Sequence, residues 1–181
     1  MPERRPLLIA GLLAACLPHP SRADVPVKPP PNLIRLDERW LTAGQPSAAW
    51  LATLKPQGID AVLYLAPPTV GDALAAEPDI LRDQGLLFVN VPVVWGHPSA
   101  ADYRSFERQI RSWRAQQLSV LVHCQVNMRA SVFSFLYRVI NEGAVPEEAW
   151  TAVSRVWTPS GPWKRLVQEL LAAHGIVFDP F

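Results

Sequence analysis

The sequence predicts an α/β domain in which helices cover both faces of a mostly parallel central sheet, giving three layers in the order αβα. Two patterns favour this class. Predicted strands alternate with predicted helices, and each strand is a continuous apolar run, as in sheets that are buried on both faces. The chain has 181 residues, of which 49% are hydrophobic, so it is long enough to bury one substantial core.

The predicted strands are short apolar segments with clear ends. Residues 61–65 (AVLYL) stop before Pro67-Pro68, and residues 86–91 (LLFVNV) stop before Pro92. Proline lacks the N–H group that a sheet ladder needs, so it marks both strand ends. Residues 119–122 (SVLV) form the third strand. We expect these strands to be parallel, because a helix follows each of them.

The predicted helices are recognised by their capping residues and by apolar residues spaced three and four apart. Ser47 and Ser99 are N-cap candidates, and Gly85 is a C-terminal stop signal. The helix that follows Arg129 is apolar nearly all round, so we expect it to be central and buried. The predicted helices cover residues 47–54, 72–84, 99–116, 130–140, 147–155 and 163–173.

The N-terminal residues predict an exported protein. Glu3-Arg4-Arg5 precedes an apolar run over residues 6–17 that is too short to cross a bilayer. Cleavage after Ala23 would release the protein into the periplasm. Residues 13–16 (LAAC) instead resemble a bacterial lipobox, which would make Cys16 a lipid anchor on the periplasmic side; both interpretations stay open. The predicted organisation is a signal peptide over 1–23, a proline-rich linker over 24–32 and a folded domain over 33–181.

Composition excludes several classes of partner and cofactor. The net charge is +1 with basic residues spread along the chain, which argues against a nucleic-acid partner. The histidines outside the signal region are too scattered for a metal site, and no cofactor is predicted. Membrane contact is expected only through a lipid on Cys16. The folded domain then holds one cysteine, Cys124, which cannot form an intramolecular disulfide and whose presence needs a reason.

Residues 123–131 (HCQVNMRAS), here called the cysteine loop, join the third strand to the central helix. A loop that opens a helix directs backbone N–H groups into a small volume, and the helix dipole favours negative charge there. Such a site stabilises the thiolate of Cys124. Arg129 adds a planar set of donors suited to an oxyanion. We expect Ser131 to donate a hydrogen bond to the sulfur and His123 to orient the loop.

The tight course of the loop requires a residue with positive φ, and Asn127 is the candidate because asparagine tolerates that region better than most residues. Its neighbours would then present backbone N–H groups to a bound anion. Besides Cys124, Asn127, Arg129 and Ser131, the predicted loop contains His123, Gln125, Val126, Met128 and Ala130.

The cysteine loop resembles the phosphate-binding loop of cysteine-dependent protein tyrosine and dual-specificity phosphatases, which begins with His-Cys and ends with Arg-Ser or Arg-Thr. That resemblance implies a dual-specificity-phosphatase-like fold, a phospho-cysteine intermediate at Cys124 and phosphate binding by Arg129. Those loops have five residues between cysteine and arginine, whereas residues 125–128 make four here. Four is also the number in rhodanese-type sulfurtransferases and in the bacterial beta-lactamase-hydrolase-like family of phosphatase-like domains.

Two further segments are similar to that bacterial family. Residues 42–47 (TAGQPS) resemble its opening Gly-Gln-Pro-Ser motif, and residues 90–93 (NVPV) resemble its second strand and turn. The related tyrosine phosphatases use an aspartate on a separate loop as general acid. The corresponding residues 93–98 (VVWGHP) contain no carboxylate, so His97 and Asp102 are the candidate general acids.

Three functions fit these observations. The first is an exported cysteine phosphatase acting on a phosphorylated protein or a small phosphoester. The second is rhodanese-like sulfur transfer, with a persulfide on Cys124 and no need for a general acid. The third is a catalytically silent module that binds an oxyanion in the cysteine loop.

Overall fold

The computed structural model describes residues 27–181, and these contain one five-stranded sheet. The predicted signal peptide, the cleavage after Ala23 and the lipid site at Cys16 lie outside the described residues. The strands are β1 (Ile34–Asp37), β2 (Trp40–Ala43), β3 (Ala61–Tyr64), β4 (Leu87–Asn90) and β5 (Val120–His123). Their order is β1-β2-β5-β3-β4, with β1 antiparallel to β2 and all other pairs parallel.

Helices cover both faces of the sheet, which confirms the predicted three-layer αβα class. They are α1 (Ala48–Leu51), α2 (Glu77–Asp83), α3 (Ala100–Ala115), α4 (Met128–Asn141), α5 (Pro146–Ser154) and α6 (Gly161–Ala173). Leu41, Val62 and Leu121 share one face of the sheet and pack with residues of α1 and α2. Val120 and Val122 face the larger core formed with α3, α4, α5 and α6. In the described part of the chain, no helix is long and apolar enough to cross a membrane.

The central helix α4 is as buried as the sequence predicts. Ten of its residues are buried, and they pack between the sheet and the helices that surround them. Phe133 makes aromatic contacts with Tyr103 and Phe106 of α3 and with Trp163 of α6. This packing holds the first turn of α4, and therefore Arg129, rigidly against the carboxyl end of β5.

The structure differs from the sequence prediction in two places. The hairpin formed by β1 and β2 was not predicted, because its strands have only four residues each and β1 carries charged side chains. The helix predicted over residues 72–84 begins only at Glu77. Pro78 occupies its first turn, where the fixed φ of proline favours helix initiation, and Ala76 is its N-cap. Asp72 is consequently free to serve a loop that joins β3 to α2.

Asp102 caps helix α3. Its Oδ2 accepts hydrogen bonds from the backbone N–H and the hydroxyl of Ser99, at 2.9 and 2.7 Å, and its own N–H donates to Ser99 Oγ. This reciprocal arrangement is a capping box. The carboxylate is therefore occupied by the helix terminus.

We expect Asp102→Ala to lower the free energy of unfolding by about 0.5–2 kcal/mol, the usual cost of losing a cap. Urea unfolding followed by circular dichroism measures this change. Asp83→Ala is the matched control, because the Asp83 side chain is 75% exposed and its Arg82 contact is long, at 3.7 Å. Equal stability of the Asp102 variant and the unsubstituted protein would contradict the capping role.

Candidate active site

The cysteine loop lies at the carboxyl end of β5, where ligands bind in parallel sheets. His123 is the last residue of β5, Cys124 follows it, and α4 begins at Met128. Asn127 has φ +71° and ψ 2°, so the predicted left-handed conformation at this position is confirmed. The strand and the helix can therefore be joined by four residues without a glycine.

The side chain of Asn127 ties the loop to the N-terminal part of the domain. Its Nδ2 donates to the Asn32 carbonyl oxygen at 2.6 Å and to Thr42 Oγ1 at 3.1 Å. Asn32 returns a hydrogen bond from its Nδ2 to the Val126 carbonyl oxygen at 2.9 Å. The last residues of the predicted linker thus support the loop, a role that their proline-rich sequence did not indicate.

The Gly-Gln segment of the TAGQPS motif explains how the loop packs on β2. A Cβ atom at Gly44 would lie 2.8 Å from the Gln125 carbonyl oxygen and 3.0 Å from Val126 Cα, so only glycine allows this approach. The next residue, Gln45, donates its backbone N–H to the same Gln125 oxygen at 2.9 Å. Ser47 accepts a hydrogen bond from Trp50 N–H and caps α1 as predicted.

The start of α4 provides donors for an anion. Ser131 makes the first helical hydrogen bond of α4. Its N–H donates to the carbonyl oxygen of the N-cap residue, Asn127, at 2.9 Å. The N–H groups of residues 128–130 precede it and have no helical carbonyl to bind. The side chain of Ser131 differs from expectation, because its hydroxyl donates to the Met128 carbonyl oxygen at 3.1 Å instead of to the sulfur. Cys124 itself is fully buried.

A buried polar cluster lies behind Cys124. His123 Nε2 is 2.7 Å from Glu77 Oε1, an ion-pair distance without hydrogen-bond alignment. Glu77 Oε2 accepts a hydrogen bond from Gln45 Nε2 at 2.9 Å. The His123 ring also stacks on Tyr64, with ring centroids 4.8 Å apart. The expected orienting role of His123 fits these contacts, whereas Glu77 could not be recognised from the sequence because its partner lies far away in the chain.

Tyr64 is buried beside this cluster, and its pKa is raised to about 12. Burial is the main cause of the rise. The negative charges of Asp72, Glu77 and Cys124 contribute in the same direction, whereas Arg129 opposes them.

Arg129 is held by contacts on three sides. Its Nε donates to the Val93 carbonyl oxygen at 3.0 Å, and its Nη1 donates to Gln125 Oε1 at 3.3 Å. The guanidinium lies over the ring of Trp95, 5.1 Å from its centroid. These contacts leave other guanidinium N–H groups free to bind an oxyanion. Beside them is a pocket of about 280 Å³ lined by Asp72, Trp95, Gln125, Val126, Met128 and Arg129.

Trp95 is positioned by the C-terminal helices. The indole of Trp163, on α6, donates to the Trp95 carbonyl oxygen at 2.9 Å. The Trp95 ring packs against Trp163 and Trp157 at centroid distances of 5.3 and 5.2 Å. Trp157, which precedes α6, and Trp163 therefore support the Trp95 wall of the pocket.

The structure does not bring either candidate general acid to this pocket. His97 lines a different surface groove, together with Pro162 and Arg165, and Asp102 is committed to the capping box. Asp72, which the sequence did not single out, lines this pocket, and its Oδ1 accepts a hydrogen bond from Gln125 Nε2 at 2.8 Å. In residues 27–181 no group of three or more histidine, cysteine, aspartate or glutamate side chains is arranged to hold a metal ion.

Comparisons with known proteins agree with this fold. No protein-family model matches the chain, and no curated protein is significantly similar in sequence. Among solved structures, the "Putative phosphatase (DUF442)" of Shewanella putrefaciens CN-32 is 27% identical, with a TM-score of 0.71 over 80% of this chain and 93% of that one. Tk-PTP in its active form is 20% identical, with a TM-score of 0.65 over 77% of this chain and 96% of its own.

The chain therefore has the fold of the cysteine-dependent protein tyrosine and dual-specificity phosphatase superfamily, as the cysteine loop predicts. PTPMT1 in complex with PI(5)P has the same fold, with 16% identity and a TM-score of 0.65 over 79% of this chain and 96% of that one. A mouse dual-specificity phosphatase structure also matches, with 17% identity and a TM-score of 0.62 over 81% of this chain and 92% of its own.

The support that Asn127 gives to the loop can be separated into backbone and side-chain parts. Asn127→Gly keeps the positive φ but removes both side-chain hydrogen bonds, so we expect the free energy of unfolding to fall by about 1–3 kcal/mol. Asn127→Ala adds the cost of a left-handed alanine, about 1 kcal/mol more. Urea unfolding of both variants measures these differences.

Gln117 provides the matched control, because it also has positive φ, at +59°, but is exposed. Gln117→Gly removes the strain of a positive φ at a residue with a side chain, and it removes no side-chain hydrogen bond. We therefore expect it to raise the free energy of unfolding slightly. If Asn127→Gly behaved in the same way, the bonds from Asn127 to Asn32 and Thr42 would not support the loop.

Proposed function

We propose that the protein is a cysteine-dependent phosphatase that hydrolyses phosphate monoesters through a phospho-cysteine at Cys124. The observation that carries this proposal is the arrangement of the cysteine loop: a buried thiol, a left-handed Asn127, free N–H groups at the start of α4 and Arg129 converge at the end of β5. Its superfamily fold supports the same chemistry.

In this proposal the thiolate of Cys124 attacks phosphorus, and the N–H groups at the loop and the Arg129 guanidinium bind the phosphoryl oxygens. Those donors are in place before substrate binds, because the loop carbonyls and Arg129 Nε are already hydrogen-bonded to the surrounding protein. Little reorganisation is then needed as negative charge redistributes in the transition state.

We infer that the substrate is a phosphorylated protein or a small phosphoester whose remaining part is apolar or aromatic. The rim of the pocket includes Trp95 and Val126, each 41% exposed, which would contact such a group. The complex of PTPMT1 with PI(5)P indicates that this fold can accommodate a small phosphoester.

We expect the purified, reduced protein to hydrolyse p-nitrophenyl phosphate, whose leaving group departs without much help from an acid. Cys124→Ser should reduce kcat by about 10³-fold or more, because the nucleophile is lost. Arg129→Ala should reduce kcat/KM by about 10²–10³-fold. Release of p-nitrophenol measures both changes. Arg104→Ala is the control, since Arg104 is exposed on α3, and it should retain full activity.

Turnover that survives Cys124→Ser would contradict the phospho-cysteine mechanism. Sulfur transfer is the second candidate, favoured by the four residues between Cys124 and Arg129. Absence of phosphatase turnover together with a persulfide adduct after exposure to thiosulfate would support it. Absence of both, with vanadate still bound, would indicate a silent oxyanion-binding module.

We further propose that the protein is exported, on the basis of the charged N-terminus and apolar run in residues 1–23. Cell fractionation after expression in a Gram-negative host should find it in the periplasm or on the periplasmic side of a membrane. Mass spectrometry of its N-terminus distinguishes release at Asp24 from lipidation at Cys16. Recovery of the intact chain from the cytoplasm would contradict export.

A further inference from the structure

The proposed phosphatase needs a proton donor for poor leaving groups, and the expected residues do not provide one. Residues 93–98 hold no carboxylate, and His97 faces a separate groove. Asp102 is used as a helix cap, and Glu77 is buried against His123. Within the described part of the chain, the carboxylate that lines the pocket beside Arg129 is that of Asp72.

One carboxamide fixes the position of Asp72 relative to Arg129. Gln125 Nε2 donates to Asp72 Oδ1 at 2.8 Å, while Gln125 Oε1 accepts from Arg129 Nη1 at 3.3 Å. The carboxyl group and the guanidinium therefore lie on either side of a single amide, at the edge of the same pocket. The two groups also line the same pocket, so a phosphate ester bound by Arg129 and the Asp72 carboxyl group would share it.

Resting on the proposed phosphatase function, we propose that Asp72 is the general acid and base of the reaction. Gln125, the residue next to the nucleophile, acts as a positioning residue that holds the carboxyl group over the cysteine loop. The segment between β3 and α2 thereby supplies the proton donor that residues 93–98 lack.

The reaction has two steps, which form and then break a bond between sulfur and phosphorus. In the first step a bond forms between the Cys124 sulfur and phosphorus as the phosphorus–oxygen ester bond breaks. The electron pair of that bond stays on the leaving oxygen, which takes the proton of Asp72. In the second step the Asp72 carboxylate takes a proton from water as the water oxygen bonds to phosphorus. The sulfur–phosphorus bond breaks, its electron pair returns to Cys124 as thiolate, and inorganic phosphate leaves.

Asp72→Asn tests the assignment, because an asparagine oxygen can still accept the hydrogen bond of Gln125 but the amide cannot act as an acid. We expect kcat/KM on phenyl phosphate, a poor leaving group, to fall by about 10²–10⁴-fold, because kcat/KM reports the formation of the phospho-cysteine and not its hydrolysis. On 2,4-dinitrophenyl phosphate, whose leaving group needs no proton, kcat/KM should fall less than about tenfold. The kcat/KM of the unsubstituted protein on phenyl phosphate should decline at high pH, and the variant should lack that decline.

Asp83→Asn is the control, since its side chain is exposed on α2 away from the pocket, and it should match the unsubstituted protein on both esters. If Asp72→Asn lowered kcat/KM equally on both esters, or on neither, the acid assignment would be overturned while the phosphatase proposal stood. If the unsubstituted protein hydrolysed neither ester, the phosphatase proposal would fail, and the assignment of Asp72 with it.

Discussion

The close approach of the cysteine loop to the end of β2 is the constraint on which the site depends. Gly44 lets the backbone of residues 125–126 come within contact distance, and the carbonyl oxygens of that backbone accept hydrogen bonds from Gln45 N–H and Asn32 Nδ2. At residues 125–126 the loop is thus held through its carbonyl oxygens. An anion site made of backbone donors needs support of this kind, because an N–H group used to hold the loop could not also bind the ligand.

Arg129 depends on a second set of supports, which comes from the opposite end of the chain. Its Nε is bound to the Val93 carbonyl oxygen, and its plane rests on Trp95. Trp95 is held in turn by the indole of Trp163 on α6. The N-terminal segment thus supports the loop, whereas a C-terminal helix supports the tryptophan under its arginine, so both ends of the domain stabilise the nine-residue cysteine loop.

Local backbone rules explain why some features could be predicted and others could not. Asn127 was recognised because a tight strand-to-helix turn demands positive φ and few residues tolerate it. The buried helix α4 was recognised from its apolar composition. The roles of Gly44, Glu77 and Asn32 depend on contacts with residues that lie far away in the chain. The spacing of apolar residues along the sequence does not indicate such contacts. Asp72 was wrongly predicted to lie in a helix, because an acidic residue after a proline-rich turn is a common helix start. The helix begins instead at Glu77, with Pro78 in its first turn.

The order of the strands shows why a carboxylate after β3 can serve a site that is opened by β5. In the sheet, β3 lies between β5 and β4, so the segment after β3 is closer to the cysteine loop than the segment after β4 is. The segments after β3 and β4 are also joined, because Val93 N–H donates to the Leu65 carbonyl oxygen at 3.0 Å and Asn90 Nδ2 donates to the Tyr64 and Ala66 oxygens at 2.9 Å. Both segments therefore reach one pocket from adjacent parallel strands. A proton donor can be carried by either without any change in the sheet, and the segment after β4 is then free to supply the aromatic wall and the backbone oxygen that hold Arg129.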